Sequence, residues 1–191
     1  MLTHSWVELK KLAKENSENN PWWYSQPEYL AEKIKEQGIE PKNILDVGCG
    51  DGRFYKGFKQ VFPESKFYGI DVFEFQIQVA KEAFPDGIWD TGYFQVKTYD
   101  VPFDLLICAG LFNPVSFEYW PKQIKVAMSI CAKIRQMASE YLLITVDFNI
   151  HKIFIHEYLR DMYKITKEWQ VPDHLKNENQ ILAAFLYERI K

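Results

Sequence analysis

The sequence predicts a three-layer α/β sandwich in which helices cover both faces of a mostly parallel sheet. Apolar runs typical of buried strands alternate with segments of helical periodicity. The first run, residues 44–47, passes through a glycine-rich turn into a helical segment, and the last two runs form a terminal pair. The chain has 191 residues, within the range of about 100–200 residues for one domain. We expect a single domain with an N-terminal helical cap (residues 1–40) and a core (residues 41–191).

The composition is that of an ordinary globular protein, with 47% hydrophobic and 26% charged residues. The formal net charge of −3 argues against nucleic acid as a partner, because such proteins usually present a basic face. The longest apolar run, residues 141–146, is much shorter than a membrane span, and no basic-then-apolar leader opens the sequence. The cysteines are odd in number, which favours reduced thiols. We therefore expect a cytoplasmic protein without a membrane segment.

The N-terminal cap is predicted to contain two helices. Residues 5–8 and 25–28 both fit the S-x-x-E capping box, and the second helix is expected to end at Gly38. Between the two boxes lies a cluster of aromatic residues, Trp22, Trp23 and Tyr24. These rings can line a substrate pocket or pack the cap onto the core, and the sequence leaves both alternatives open.

The turn after the first strand carries the main functional signal. Residues 43–54 have the sequence NILDVGCGDGRF, with glycine at every second position of the turn. Glycine tolerates positive φ and lets the backbone approach a ligand closely. The dinucleotide fingerprint G-x-G-x-x-G has a different spacing, since its third glycine comes three residues after the second. The pattern Asp46-x-Gly48-x-Gly50-x-Gly52 instead resembles the first motif of the class I methyltransferases that use S-adenosylmethionine.

This resemblance implies a Rossmann-like fold whose seven-stranded, mostly parallel sheet ends in a C-terminal antiparallel hairpin. It also implies S-adenosylmethionine as the cofactor and S-adenosylhomocysteine as the product. The cofactor contacts implied at the turn are Asp46, Gly48, Cys49, Gly50 and Gly52. Residues 66–71 predict the second parallel strand, and the resemblance assigns Asp71 at its end to the ribose hydroxyls, with Val72 beside it.

Two acidic residues, Asp90 and Asp100, compete for the position near the adenine amine. The next strand begins at Phe103, and a parallel strand of five residues requires a return crossing of about 17 Å. The two residues between Asp100 and Phe103 reach only about 7 Å. We therefore place a short third strand at Asp90, with Trp89 beside the adenine ring.

The fourth strand is predicted at residues 103–108, and the segment after it is expected to face the sulfonium and the transferred methyl group. The cofactor contacts expected there are Cys108, Ala109 and Gly110, and the further pocket residues are Phe112, Asn113 and Phe148. The Asn113-Pro114 pair is similar to the N-P-P-[YF] motif of amino-methyltransferases. Val115 replaces the second proline, however, and the pair lies late after the strand, so we interpret it as a turn.

The remaining segments complete the predicted sheet. An amphipathic helix spans residues 124–134, a fifth strand spans 141–146, a helix spans about 151–162, and two terminal strands span 163–169 and 181–187. If the acceptor needs deprotonation, His151 is the candidate base. His151 and His156 lie five residues apart, which does not fit the i, i+4 spacing of a helical metal site, and we expect no metal.

We conclude that the sequence predicts an enzyme that transfers a methyl group from S-adenosylmethionine to a small-molecule acceptor at an oxygen, nitrogen or carbon atom. In-line displacement needs mainly proximity and alignment, so a dedicated catalytic residue is not required. Two alternatives stay open. One is a non-catalytic S-adenosylmethionine-binding partner subunit or sensor, and the other is a methyltransferase acting on RNA or protein.

Overall fold

A computed structural model describes residues 22–112, 120–146, 155–172 and 183–190. Within them, seven strands form one sheet in the order β3-β2-β1-β4-β5-β7-β6. The strands are β1 (Asn43–Val47), β2 (Lys66–Asp71), β3 (Ile88–Thr91), β4 (Leu105–Ala109), β5 (Tyr141–Val146), β6 (Tyr163–Gln170) and β7 (Ala183–Arg189). The first five strands are parallel, whereas β7 pairs antiparallel with both β5 and β6. The predicted sheet, its terminal hairpin and the placement of the third strand at Asp90 are confirmed.

Helices cover both faces of the sheet. They are α1 (Trp22–Lys35), α2 (Arg53–Val61), α3 (Glu74–Ala83) and α4 (Trp120–Met137), followed by a short helical segment at residues 155–159. The first three helices share one buried apolar cluster with the sheet, and α4 and the 155–159 segment share the other. This arrangement is the predicted three-layer sandwich. Among the helices described, none is both long enough and apolar enough to cross a membrane.

The N-terminal cap begins differently from the prediction. Helix α1 starts at Trp22 and contains Pro27, so the predicted start at Ser25 is wrong. Residues 26 and 27 are both buried, and helix α2 approaches them closely at Gly57, where a Cβ atom would lie 2.4 Å from the backbone nitrogen of Glu28. Packing against α2 therefore contributes to the position of α1, and a local capping pattern contains no information about that contact. The helix predicted from residues 5–8 lies outside the described residues.

Candidate functional site

The carboxyl ends of β1, β2 and β4 meet at one edge in the middle of the sheet. The chain runs from β1 outward to β2 and β3, and it returns on the other side of β1 to form β4. In open parallel sheets, such a reversal of strand order leaves a crevice beyond the strand ends, and ligands bind there. The glycine turn lies at this reversal because it directly follows β1.

The glycine turn has a backbone conformation that suits only glycine. The φ angles of Gly48, Gly50 and Gly52 are 75°, 56° and 83°, in the left-handed region that other residues rarely adopt. The amides of Gly48 and Cys49 both donate to the carbonyl oxygen of Ile70, at 2.8 and 3.1 Å. A Cβ atom at Gly50 would meet no other atom within 4 Å. The turn is therefore attached to β2, and its backbone is open at Gly50.

Asp71 connects the end of β2 to this turn. Its Oδ2 accepts a hydrogen bond from the Gly50 amide at 3.0 Å, and its Oδ1 accepts one from the Phe73 amide at 2.9 Å. These two bonds hold the carboxylate in one orientation. Each carboxylate oxygen has a second lone pair, and the side chain is only partly buried. Asp71 can therefore accept further hydrogen bonds from a ligand.

Asp46 lies beneath the same turn and is 1% exposed. Its Oδ2 has no hydrogen-bond partner. Burial raises the pKa of Asp46 from 3.8 to about 7, with Arg53 opposing the increase and Asp71 and Asp51 adding to it. A buried carboxylate without a partner is costly, so this site is suited to a cationic ligand group. The thiol of Cys49 is also buried, and burial raises its pKa.

Two apolar side chains at this edge are available to a ligand. Val72, predicted as a cofactor contact, follows Asp71 and is 47% exposed. Leu111 lies in the segment expected to face the sulfonium but was not singled out as a contact; its Cδ1 lies 2.9 Å from where a Cβ atom on Gly48 would be. Its position two residues after β4 is the only sequence signal that could have identified it. The structure therefore adds Leu111 as a neighbour of the turn.

Trp89 lies in the core beneath the helices, so its predicted place beside the adenine ring stays a prediction that its burial does not favour. Its ring is 7% exposed and packs among Tyr55, Phe67 and Phe84. Its indole N–H donates to the carbonyl oxygen of Phe84 at 2.9 Å. Because consecutive strand residues point to opposite faces, Asp90 lies on the other side of the sheet, where it pairs with Lys97 at 3.0 Å. Asp90 keeps its predicted position at the strand but already has a cationic partner.

The residues at the end of β4 differ in burial: some lie in the core and others lie at the edge of the sheet. Cys108 and Phe112 are buried in the cluster that includes α4, and their predicted roles as ligand contacts stay predictions. Ala109 and Gly110 are half-buried at the edge. Gly110 has a φ of 66°, and its amide donates to Oγ1 of Thr145 at 3.0 Å. Sequence reasoning also missed Thr145, although its place as the next-to-last residue of the fifth predicted strand brings it to this edge.

The other predicted pocket residues lie outside the described part of the chain. These are His151, Asn113 and Phe148. Trp22, Trp23 and Tyr24 belong to the first turn of α1, and their side chains also lie outside the description.

The fold and this edge are those of an open α/β sheet with a crevice where the strand order reverses. Residues 45–134 match the family described as methyltransferase domain. The structure of the N-methyltransferase NodS from Bradyrhizobium japonicum WM9, in complex with S-adenosyl-L-homocysteine, is similar with a TM-score of 0.68. Its sequence identity is 12%, and the alignment covers 92% of this chain and 91% of that chain. Over residues 45–134, just under half of the chain, the sequence is therefore similar to methyltransferase domains, and the chain shares the fold of the NodS structure.

Two curated relatives match more locally. An uncharacterized protein of Rickettsia prowazekii (strain Madrid E) is 29% identical over 54% of this chain and 46% of its own length. The type II methyltransferase M.CvrRI of Paramecium bursaria Chlorella virus XZ-6E is 24% identical over 65% of this chain and 34% of its own length. The match thus spans less than half the length of either relative.

Proposed function

We propose that this protein binds S-adenosylmethionine at the glycine turn and transfers its methyl group to a small-molecule acceptor. The observation that carries the proposal is the hydrogen bond from the Gly50 amide to Asp71, which joins the turn to a carboxylate at the sheet edge. This geometry allows the turn to seat the methionine end while Asp71 accepts hydrogen bonds from the ribose hydroxyls. Val72 supplies an apolar surface beside it.

The unpartnered carboxylate oxygen of Asp46 supports the same assignment. The amino-acid end of S-adenosylmethionine carries an ammonium group, and an opposite charge favours the ionised form of a buried carboxyl group. Asp46 is therefore proposed to lie against this ammonium group. When bound, the cofactor supplies an electrophilic methyl group for in-line displacement. The residues of the chain have to align cofactor and acceptor and exclude water.

The acceptor is proposed to be a small molecule because the net charge of −3 does not favour an extended polyanion. We propose His151 as the base for an acceptor that must lose a proton.

The cysteines in the structure are free and buried, which supports the expected cytoplasmic location.

Titration calorimetry with S-adenosylmethionine tests the cofactor site. Asp71→Asn should weaken binding at least about tenfold, because hydrogen bonds to a charged group contribute about 1.5–3 kcal/mol. The matched control is Asp104→Asn. Asp104 also accepts two backbone amides, from Lys42 at 2.7 Å and from Asn43 at 2.8 Å, but it precedes β4 at the opposite edge of the sheet.

The control variant should bind the cofactor as the native protein does. Absence of binding by the native protein, or equal affinity of the two variants, would contradict the proposed site. For the acceptor, formation of S-adenosylhomocysteine is measured with a metabolite mixture, with RNA and with protein. Turnover only with RNA or protein would show that the small-molecule assignment is wrong, and binding without any turnover would favour a sensor or partner subunit.

A further inference from the structure

Thr145 and Gly110 form an interaction at the end of β4 that the cofactor site does not yet explain. The Gly110 amide lies 3.0 Å from Oγ1 of Thr145 and 3.4 Å from its carbonyl oxygen. Good N–H···O hydrogen bonds measure about 2.7–3.2 Å, so the hydroxyl is the better acceptor. Thr145 is 2% exposed, and water therefore does not compete effectively for this bond.

Thr145 is itself held firmly. It pairs with Ala109 on β4 and with Ala184 on β7, so strands flank it on both sides. A hydroxyl on such a residue can restrain a neighbouring loop. The restrained residue, Gly110, has a φ of 66° and lies just beyond the last paired residue of β4.

The bond determines where the preceding carbonyl points. In a trans peptide, the C=O of Ala109 and the N–H of Gly110 point in opposite directions, and the described backbone has no cis peptide. The Gly110 N–H points toward β5, so the Ala109 carbonyl points toward the strand on the other side of β4, which is β1. Asp46 pairs with Ile107, and the same register brings Ala109 level with Gly48.

A second contact places the end of β4 next to the glycine turn. The side chain of Leu111 lies 2.9 Å from the position that a Cβ atom on Gly48 would occupy. The peptide between Ala109 and Gly110 is therefore close to the turn that is proposed to seat the amino-acid end of the cofactor.

We propose that Thr145 is a positioning residue whose hydroxyl fixes the Ala109–Gly110 peptide, so that the Ala109 carbonyl faces the glycine turn and can accept a hydrogen bond from the cofactor ammonium. This inference rests on the proposed function. It assigns Thr145 no contact with the cofactor, because the hydroxyl acts through the Gly110 amide.

Two ligands separate this role from a general effect on the fold. S-adenosylhomocysteine carries the amino-acid end, whereas 5′-methylthioadenosine keeps the adenosine and lacks that end. Thr145→Val retains the branched shape and removes the acceptor. It should weaken binding of S-adenosylhomocysteine about fivefold to tenfold, the effect expected from one lost hydrogen bond, and leave the affinity for 5′-methylthioadenosine unchanged.

Two further variants serve as controls. Thr145→Ser keeps the hydroxyl and should restore the affinity for S-adenosylhomocysteine. Thr166→Val removes a hydroxyl that donates to the Leu186 carbonyl at 3.2 Å on the hairpin, and it should change neither affinity. Circular dichroism verifies that each variant folds. If Thr145→Val does not fold, the affinities for the two ligands are compared in Thr145→Ala instead.

If Thr145→Val weakens the binding of both ligands equally, or leaves the binding of S-adenosylhomocysteine unchanged, the positioning role is overturned while the proposed function stays in place. If the native protein binds neither S-adenosylhomocysteine nor S-adenosylmethionine, the proposed function fails and this inference fails with it.

Discussion

Replacing Asp46 by Asn should stabilise the protein without cofactor, and more so at pH 8 than at pH 5. Asp46 is buried, its Oδ2 has no hydrogen-bond partner, and its pKa is raised from 3.8 to about 7. The folded state therefore holds a proton that the unfolded state has already lost. Because the unfolded state binds fewer protons between pH 3.8 and pH 7, the free energy of unfolding falls as the pH rises through this window.

The size of the effect follows from the same pKa. One pKa unit corresponds to about 1.36 kcal/mol, so ionisation of Asp46 lowers the stability of the native protein by about 4 kcal/mol once the pH exceeds 7. About 3 kcal/mol of this loss occurs above pH 5. Asn has nearly the same shape and does not ionise. For a chain of this length, a change of 1 kcal/mol in stability shifts Tm by about 2–4 °C, so the difference in Tm should widen by roughly 6–12 °C.

Thermal unfolding of the native protein and Asp46→Asn at pH 5 and pH 8, without cofactor, measures this difference. The comparison of the variant with the native protein at each pH cancels the contributions of the ionisable groups that both share. Asp104→Asn is the control, because Asp104 accepts two amides and stabilises the fold as a carboxylate. It should lower Tm at both pH values without the widening. A Tm difference between Asp46→Asn and the native protein that is the same at pH 5 and pH 8 would refute the reasoning.

Three further outcomes are expected. Affinity for S-adenosylmethionine should rise at least about tenfold between pH 5 and pH 7 as Asp46 ionises, and titration calorimetry should find no such rise in Asp46→Asn. Gly57→Ala should lower the free energy of unfolding by about 1–3 kcal/mol, measured in urea, because its Cβ would lie 2.4 Å from the Glu28 nitrogen. Trp89→Phe should lower stability but leave cofactor affinity unchanged, since Trp89 is a core residue; weaker binding at unchanged stability would contradict this.

The strands and the glycine turn could be predicted because their signals are local. Apolar runs mark buried strands, and the spacing of Gly48, Gly50 and Gly52 indicates a turn of positive φ, which the structure has. The third strand was also predictable, because the reach of the chain excludes Asp100. The start of α1 at Trp22 was not predicted from the capping pattern at residues 25–28, and the close packing of α2 against Pro27 and Glu28 is a contact that this local pattern does not contain.

The site residues could likewise be predicted only where their signal is local in the sequence. Asp71 and Val72 follow a strand end, and the parallel topology brings every such end to one edge. Strand alternation also places Trp89 and Asp90 on opposite faces, so the sequence contained a reason not to assign both to one pocket. Which face is the core depends on the helices that cover it, and the structure buries Trp89 beneath the first three helices.

The sequence by itself determined the order of strands and helices and the glycine turn with its acidic neighbours, because these depend on residues close together along the chain. Only the tertiary structure decided how those groups interact. Both oxygens of Asp71 accept hydrogen bonds from backbone amides, and Oδ2 of Asp46 has no partner. Thr145 on β5 accepts a hydrogen bond from the Gly110 amide at the end of β4. Hydrogen bonds and burial between distant segments arise only when the sheet and its helices pack, and they set the orientation and charge of the site.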